Sequence, residues 1–178
     1  VMDRSSFTPS PLADVSHDIR DYKWMLVFVR DFRHPPEKVW AALTEPGQLS
    51  QWAPFTTDRD LSELGNAALT MIDGETVDVT AAQVIRAEPP RLLEYTWGED
   101  LLRWELEPAG AGTRLTLRHT VQGREWLPKV AAGWHLCLDV AQHLLDGDPV
   151  GPIRGADAVH FGWNELNEAY ERELKEQD

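Results

Sequence analysis

The hydrophobic period of this chain makes its last change, from strand to helix, at Gly123. Before it, apolar residues recur at every second position in short runs. After it they recur every three or four positions. Successive side chains alternate across a strand but turn by about 100° per residue along a helix, so the two periods mark strands and helices respectively. A chain patterned in this way lays down its sheet first and its long helices last, which is the α+β class.

The strand runs are short and closely spaced. LLRWELEP, residues 101–108, puts Leu102, Trp104 and Leu106 on one face and Arg103, Glu105 and Glu107 on the other. TRLTLRHTV, residues 113–121, places Leu115, Leu117 and His119 together, and RLLEYTW, residues 91–97, does the same with Leu93, Tyr95 and Trp97. With AALTMI and ETVDVTAAQVIRAE before them, these runs are separated only by turn residues, among them Asp73-Gly74, Pro89-Pro90 and Gly98 to Asp100. Tight turns between consecutive strands dictate an antiparallel meander.

Ahead of the meander, YKWMLVFVRDF (22–32) reads as a strand. PPEKVWAAL reads as a helix with prolines at its entry, and EPGQLSQW as a turn and a second short helix. Past Gly123 a long helix is predicted over 124–145 and a loop over 148–155. A final helix over 157–174 carries Trp163, Leu166, Tyr170 and Leu174 on one stripe, weakened only locally by Gly162. Residues 1–21, polar and proline-containing, are expected to form a flexible arm. Residues 22–178 are expected to form one domain with a helical extension from about 148.

The net charge of −13 argues against nucleic acid and against an anionic membrane surface, since both demand a basic field. No run of 18 apolar residues is present, and the first residues lack the apolar core of a secretory signal. The single cysteine excludes an internal disulfide, so a cytoplasmic setting is expected. Phosphate-binding Gly-rich loops, Cys-x-x-Cys, Gly-x-Ser-x-Gly and His-Glu-x-x-His are all absent, and no cofactor or metal is expected.

GWHLCLDVAQHLLDG, residues 133–147, poses one chemical question. On a helical wheel Trp134, Cys137, Leu138, Ala141, Leu144 and Leu145 share one arc. His135, Asp139, Gln142, His143 and Asp146 share the opposite one. Two histidines and a carboxylate at i, i+4 and i+8 are the residue types of a metal site, but they are equally a solvated polar face with i,i+4 pairs. The solvated face is expected, because a metal site also needs a pocket and outer partners. Cys137 lies on the apolar arc, where a thiol is ordinarily inert.

HPPEKVWAALTEPGQLSQW, residues 34–52, resembles the opening signature of the family named for the activator of heat-shock protein 90 ATPase. EPPRLLEYTW and GTRLTLRHTV are similar to that family's later strands, and the Gly133-Trp134 start resembles its C-terminal helix. The resemblance covers about residues 24–147. It departs at Leu64-Gly65-Asn66, where the family often has Gly-Gly, and in the extension carrying a second Gly-Trp at Gly162-Trp163. The resemblance implies the START and birch-pollen-allergen-like superfamily and its helix-grip fold. There a curved antiparallel sheet wraps a long C-terminal helix, two short helices follow the first strand, and a cavity often lies between sheet and helix. The extra C-terminal helix is this chain's own addition.

In that fold Trp134, Cys137, Leu138 and Ala141 should face Tyr95, Trp97, Trp104, Leu117 and His119 across the gap, with Phe28 and Arg30 beside them. The expectation is an aromatic-lined cavity, set against a filled core. His119 is either a satisfied core residue or a ligand anchor or general acid–base group. Arg30 either points to solvent or enters the inner face, where it needs an acid partner or an anionic ligand.

The first functional reading is binding of a small apolar or aromatic ligand. A cyclase, dehydratase or hydrolase using the same cavity is the alternative, and needs two convergent polar groups such as His119 with Tyr95 or Arg30. A co-chaperone-like partner surface is the third. The apolar stripe of the last helix must be buried on the domain or on a second subunit, which a homodimer would supply.

Overall fold

The computed structural model describes residues 3–177; residues 1 and 2 of the expected arm and residue 178 of the extension lie outside the described residues. The strands are β1 (Asp14–Arg20), β2 (Lys23–Phe32), β3 (Thr56–Thr57), β4 (Gly65–Asp73), β5 (Thr76–Glu88), β6 (Leu92–Trp97), β7 (Asp100–Ala109) and β8 (Gly112–Val121). The helices are α1 (Pro36–Thr44), α2 (Pro46–Leu49), α3 (Trp126–Leu145) and α4 (Trp163–Lys175), with 3-10 turns at Arg4–Ser6 and Gly155–Phe161.

All the strands join one antiparallel sheet in the order β1-β2-β8-β7-β6-β5-β4-β3. The meander from β4 to β8 follows from its tight turns, and β2 closes on β8. Alternation sets the register, because a one-residue slip would turn every apolar side chain outward. Phe28, Leu117, Trp104 and Leu93 form one row across four strands, each paired with the next. Leu26, His119, Leu102, Tyr95 and Val84 form the adjacent row. Both rows are buried and belong to the core facing α3.

Two expectations are corrected. The flexible arm is docked: residues 14–20 form β1, which pairs with β2 through a turn at Asp21-Tyr22. Both turn residues have positive φ, the signature of a type I′ hairpin. Of the alternating residues Val15, His17 and Ile19, only Val15 is buried, so the strand gives a weak hydrophobic signal. The last helix is broken where local weakening was expected. Gly162 takes φ +98°, outside helical space, and separates the 3-10 turn from α4. Of the two settings open to the stripe Leu166, Tyr170 and Leu174, the structure shows the first, the chain's own α3 and β1. Among the described residues no helix is long and apolar enough to cross a membrane.

Candidate functional site

Interlocked indoles occupy much of the gap between sheet and α3. The ring of Trp104 meets Trp134 at 5.3 Å and Trp52 at 6.1 Å, both nearly perpendicular. Trp97 meets Phe55 at 4.9 Å and Trp134 at 6.2 Å. Edge-to-face contact sets the positive ring edge against a negative face. Each indole N–H also finds an acceptor: Ala42 O for Trp52, Tyr95 Oη for Trp104, Met71 Sδ for Trp97 and His119 Nδ1 for Trp134. Tyr95, Trp104, Leu117, Leu138 and Ala141, expected to line a cavity, are instead filled core, almost wholly excluded from solvent.

Packing is incomplete at one end. A cavity of about 230 Å³ opens where the first half of α3 passes the ends of β6 and β8 and the 150–158 segment folds over. Trp97, His119, Trp134 and Cys137 border it, so the structure gathers four of the expected residues there. Trp163 at the start of α4 and Ile153 complete its apolar wall. Gly133 provides the opening: a Cβ there would meet nothing within 4 Å. The volume lies below the roughly 300–1,000 Å³ of drug-sized sites, which limits an occupant to about one or two rings.

The polar groups at this pocket are committed. An indole N–H can only donate, so His119 Nδ1 accepts from Trp134 at 2.9 Å. Neutral His119 then carries its proton on Nε2, which faces Asp100 Oδ2 at 3.0 Å. Burial alone would raise the Asp100 carboxyl, but hydrogen bonds from His119 and Gln122 hold it below its ordinary value. Burial pushes the Cys137 thiol up to about 12, with nearby Arg154 opposing the shift.

The opposite face of α3 overturns the expectation of a solvated arc. His135, Asp139 and Gln142 are buried. The docked arm covers them: Ser10 donates its amide to Asp139 Oδ2 at 2.8 Å and its hydroxyl to Oδ1 at 2.6 Å. Arg30 enters the inner face and meets Asp139 Oδ1 at 2.7 Å, so its acid partner comes from α3. His135 lies 2.7 Å from Tyr170 Oη through Nδ1 and 3.3 Å from Asp139 through Nε2. Tyr170 Oη in turn accepts the Ala13 amide at 2.9 Å. Burial would raise the Asp139 carboxyl, yet His135 and Ser10 together hold it at about 2.

This set contains a serine, a histidine and an aspartate, but the short bond of the Ser10 hydroxyl is to Asp139 Oδ1 at 2.6 Å, with His135 Nε2 farther away at 3.3 Å. The arrangement fastens arm, α3 and α4 together; it does not activate a nucleophile. His143 turns aside to pack on Phe7 at 5.9 Å. Among the described residues no group of three His, Cys, Asp or Glu is placed to hold a metal ion. Phe28 and Arg30 border a separate, polar cleft of about 540 Å³ beneath residues 10–14, away from the indole-walled pocket.

Sequence reasoning missed Lys129, Gly133, Ile153, Arg154 and Trp163 as pocket residues. Its one usable signal was the second Gly-Trp pair. The 148–155 segment reads only as a loop, and nothing in its composition says which face it covers.

The family profile described as "Activator of Hsp90 ATPase homolog 1-like protein" matches residues 33–146. No curated protein matches the chain. Among solved structures, it is similar to CalU16 from Micromonospora echinospora, with 21% identity over 90% of this chain and 95% of that one at a TM-score of 0.66. A conserved protein of unknown function from Enterococcus faecalis matches at 18% identity over 93% of this chain and 92% of its own, with a TM-score of 0.68. Protein Ms6760 from Mycobacterium smegmatis matches at 21% identity, covering 77% of this chain and 99% of its own, with a TM-score of 0.61. Likeness at these identities establishes a shared fold and no shared activity.

Proposed function

The chain belongs to the Activator of Hsp90 ATPase homolog 1-like family and has the helix-grip fold, and from that premise we propose that it binds a small apolar or aromatic ligand. The site is the pocket between α3, the sheet end and the 150–158 segment. One observation carries the reading: a core otherwise filled by interlocked indoles leaves a cavity of about 230 Å³ walled by Trp97, Trp134 and Trp163. Filled cores reach crystal-like density, and an apolar recess left open beside such a core offers ring-sized surface for a ligand to cover. Binding is favoured over turnover because His119 is engaged at both nitrogens and the Cys137 thiol stays protonated at neutral pH.

The test uses Gly133. Replacing it by leucine inserts a side chain where there is open space and removes a helix-interior glycine, which itself favours folding by about 0.5–1 kcal/mol. Titration with indole, 4-ethylphenol and 3-phenylpropanamide should move the Trp97 and Trp134 indole N–H resonances saturably in the wild type. The shifts should vanish in a folded Gly133→Leu variant. Unmoved resonances with all three compounds, or shifts that persist in the variant, would rule out this pocket.

A further inference from the structure

The sequence has 30 acidic residues against 17 basic ones, yet no carboxylate borders the indole-walled pocket, while two cations do, Lys129 and Arg154. On so acidic a chain this local reversal of sign needs a reason.

Arg154 sharpens the point. It is half-buried, its Nε donates to Ala53 O at 2.9 Å and its Nη2 to Ser50 O at 2.7 Å, and both acceptors are neutral. No ion pair with a carboxylate is found for Arg154 among the described residues. By contrast Arg30, Arg33, Arg103, Arg114 and Arg118 each have one. Burial lowers its guanidinium from the ordinary value, as for a cation partly stripped of water and not repaid by an acid. Lys129 sits on α3 one turn before Gly133, where its ammonium donates to Glu125 O at 3.2 Å and lies over the Trp126 ring. A partly desolvated guanidinium is stabilised by a carboxylate through charge-assisted, often bidentate, hydrogen bonds.

Resting on the reading of this pocket as the ligand site, we propose that the ligand is an anion, a one- or two-ring aromatic carboxylate. Its ring lies among Trp97, Trp134 and Trp163, and its carboxylate is held by Arg154 and Lys129 at the rim. The pocket then selects by size through the indoles and by charge through the two cations.

The experiment is a pair of calorimetric titrations at pH 7 with 3-phenylpropanoate and its neutral isostere 3-phenylpropanamide, on the full chain. The acid should bind about tenfold or more tightly than the amide, the advantage a charge-assisted pair supplies. Lys129→Gln and Arg154→Gln should each shrink that ratio, whatever either does to the affinity for the amide. Arg154 also holds two backbone carbonyls, so Arg154→Lys serves as a second variant that keeps the charge and should retain part of the preference. Equal affinity for acid and amide in the wild type would overturn the charge assignment and leave the pocket standing as an apolar site. Binding of neither compound would overturn the pocket and the anion together.

Discussion

Arg30 on β2 and Asp139 on α3 form an ion pair 2.7 Å long beneath the N-terminal arm, both side chains largely withdrawn from water. The pair fixes how the helix sits along the strand, because removing either ion leaves the other buried and short of an opposite charge.

Removing one member alone should therefore cost far more than removing both. Arg30→Leu or Asp139→Leu should each destabilise by about 3–5 kcal/mol, and the double variant should recover most of that loss. Urea denaturation of the three proteins checks it. Additive losses would mean that the two side chains act independently.

The same carboxylate sets an acid limb in the stability curve. Asp139 titrates at about 2 in the fold against an ordinary 3.8, so its folded pKa is depressed. A depressed carboxyl contributes stability that is complete above the unfolded pKa and is lost as pH falls through the folded one. The contribution is about 2 kcal/mol, present above pH ~4 and lost between about pH 4 and 2. Melting temperatures across that window should fall less steeply for Asp139→Asn than for the wild type; identical slopes would contradict the assignment.

His119 acts as a strut between Trp134 and Asp100. His119→Leu leaves the Trp134 N–H and the Asp100 carboxylate without their partner and should cost about 1–3 kcal/mol. The Trp134 indole proton should also move upfield in the NMR spectrum. A variant as stable as the wild type, with that resonance unmoved, would show that the bond does not form in solution.

Cys137 should resist thiol reagents. With burial holding its pKa at about 12, thiolate is scarce at pH 8, and reaction with Ellman's reagent should proceed only through opening of the fold. The rate should rise to that of a free thiol in denaturant. Full modification of the folded protein within minutes would show that the pocket admits the reagent directly.

Much of the fold was legible because most meander residues obey a period of two and the apolar residues of α3 one near 3.6. Leu102, Trp104 and Leu106, or Leu115, Leu117 and His119, could hardly face any other way. The site was legible only in part. Trp97, His119, Trp134 and Cys137 could be named because they lie on inward faces of regular elements. Tyr95, Trp104 and Leu117 share those faces and are filled core, and no periodicity distinguishes a packed inward residue from one bordering a void. That difference depends on where Trp52 and Phe55 reach, which is a tertiary matter. The polar arc of α3 misled for a similar reason. Amphipathicity reports which face is polar and not whether water or protein covers it. Here Ser10, Arg30 and Tyr170 cover it, from elements at both ends of the chain.

The clasp of Ser10 on Asp139 bears on where this protein can be cut. Strand alternation begins near Tyr22, and an expression boundary placed there by sequence pattern would keep the whole meander and α3. It would also discard β1, strip two hydrogen bonds from a buried carboxylate and leave Tyr170 without the Ala13 amide. Insoluble material from such a truncation would then be blamed on the fold, when the fault would lie in twenty-one residues that look dispensable on paper.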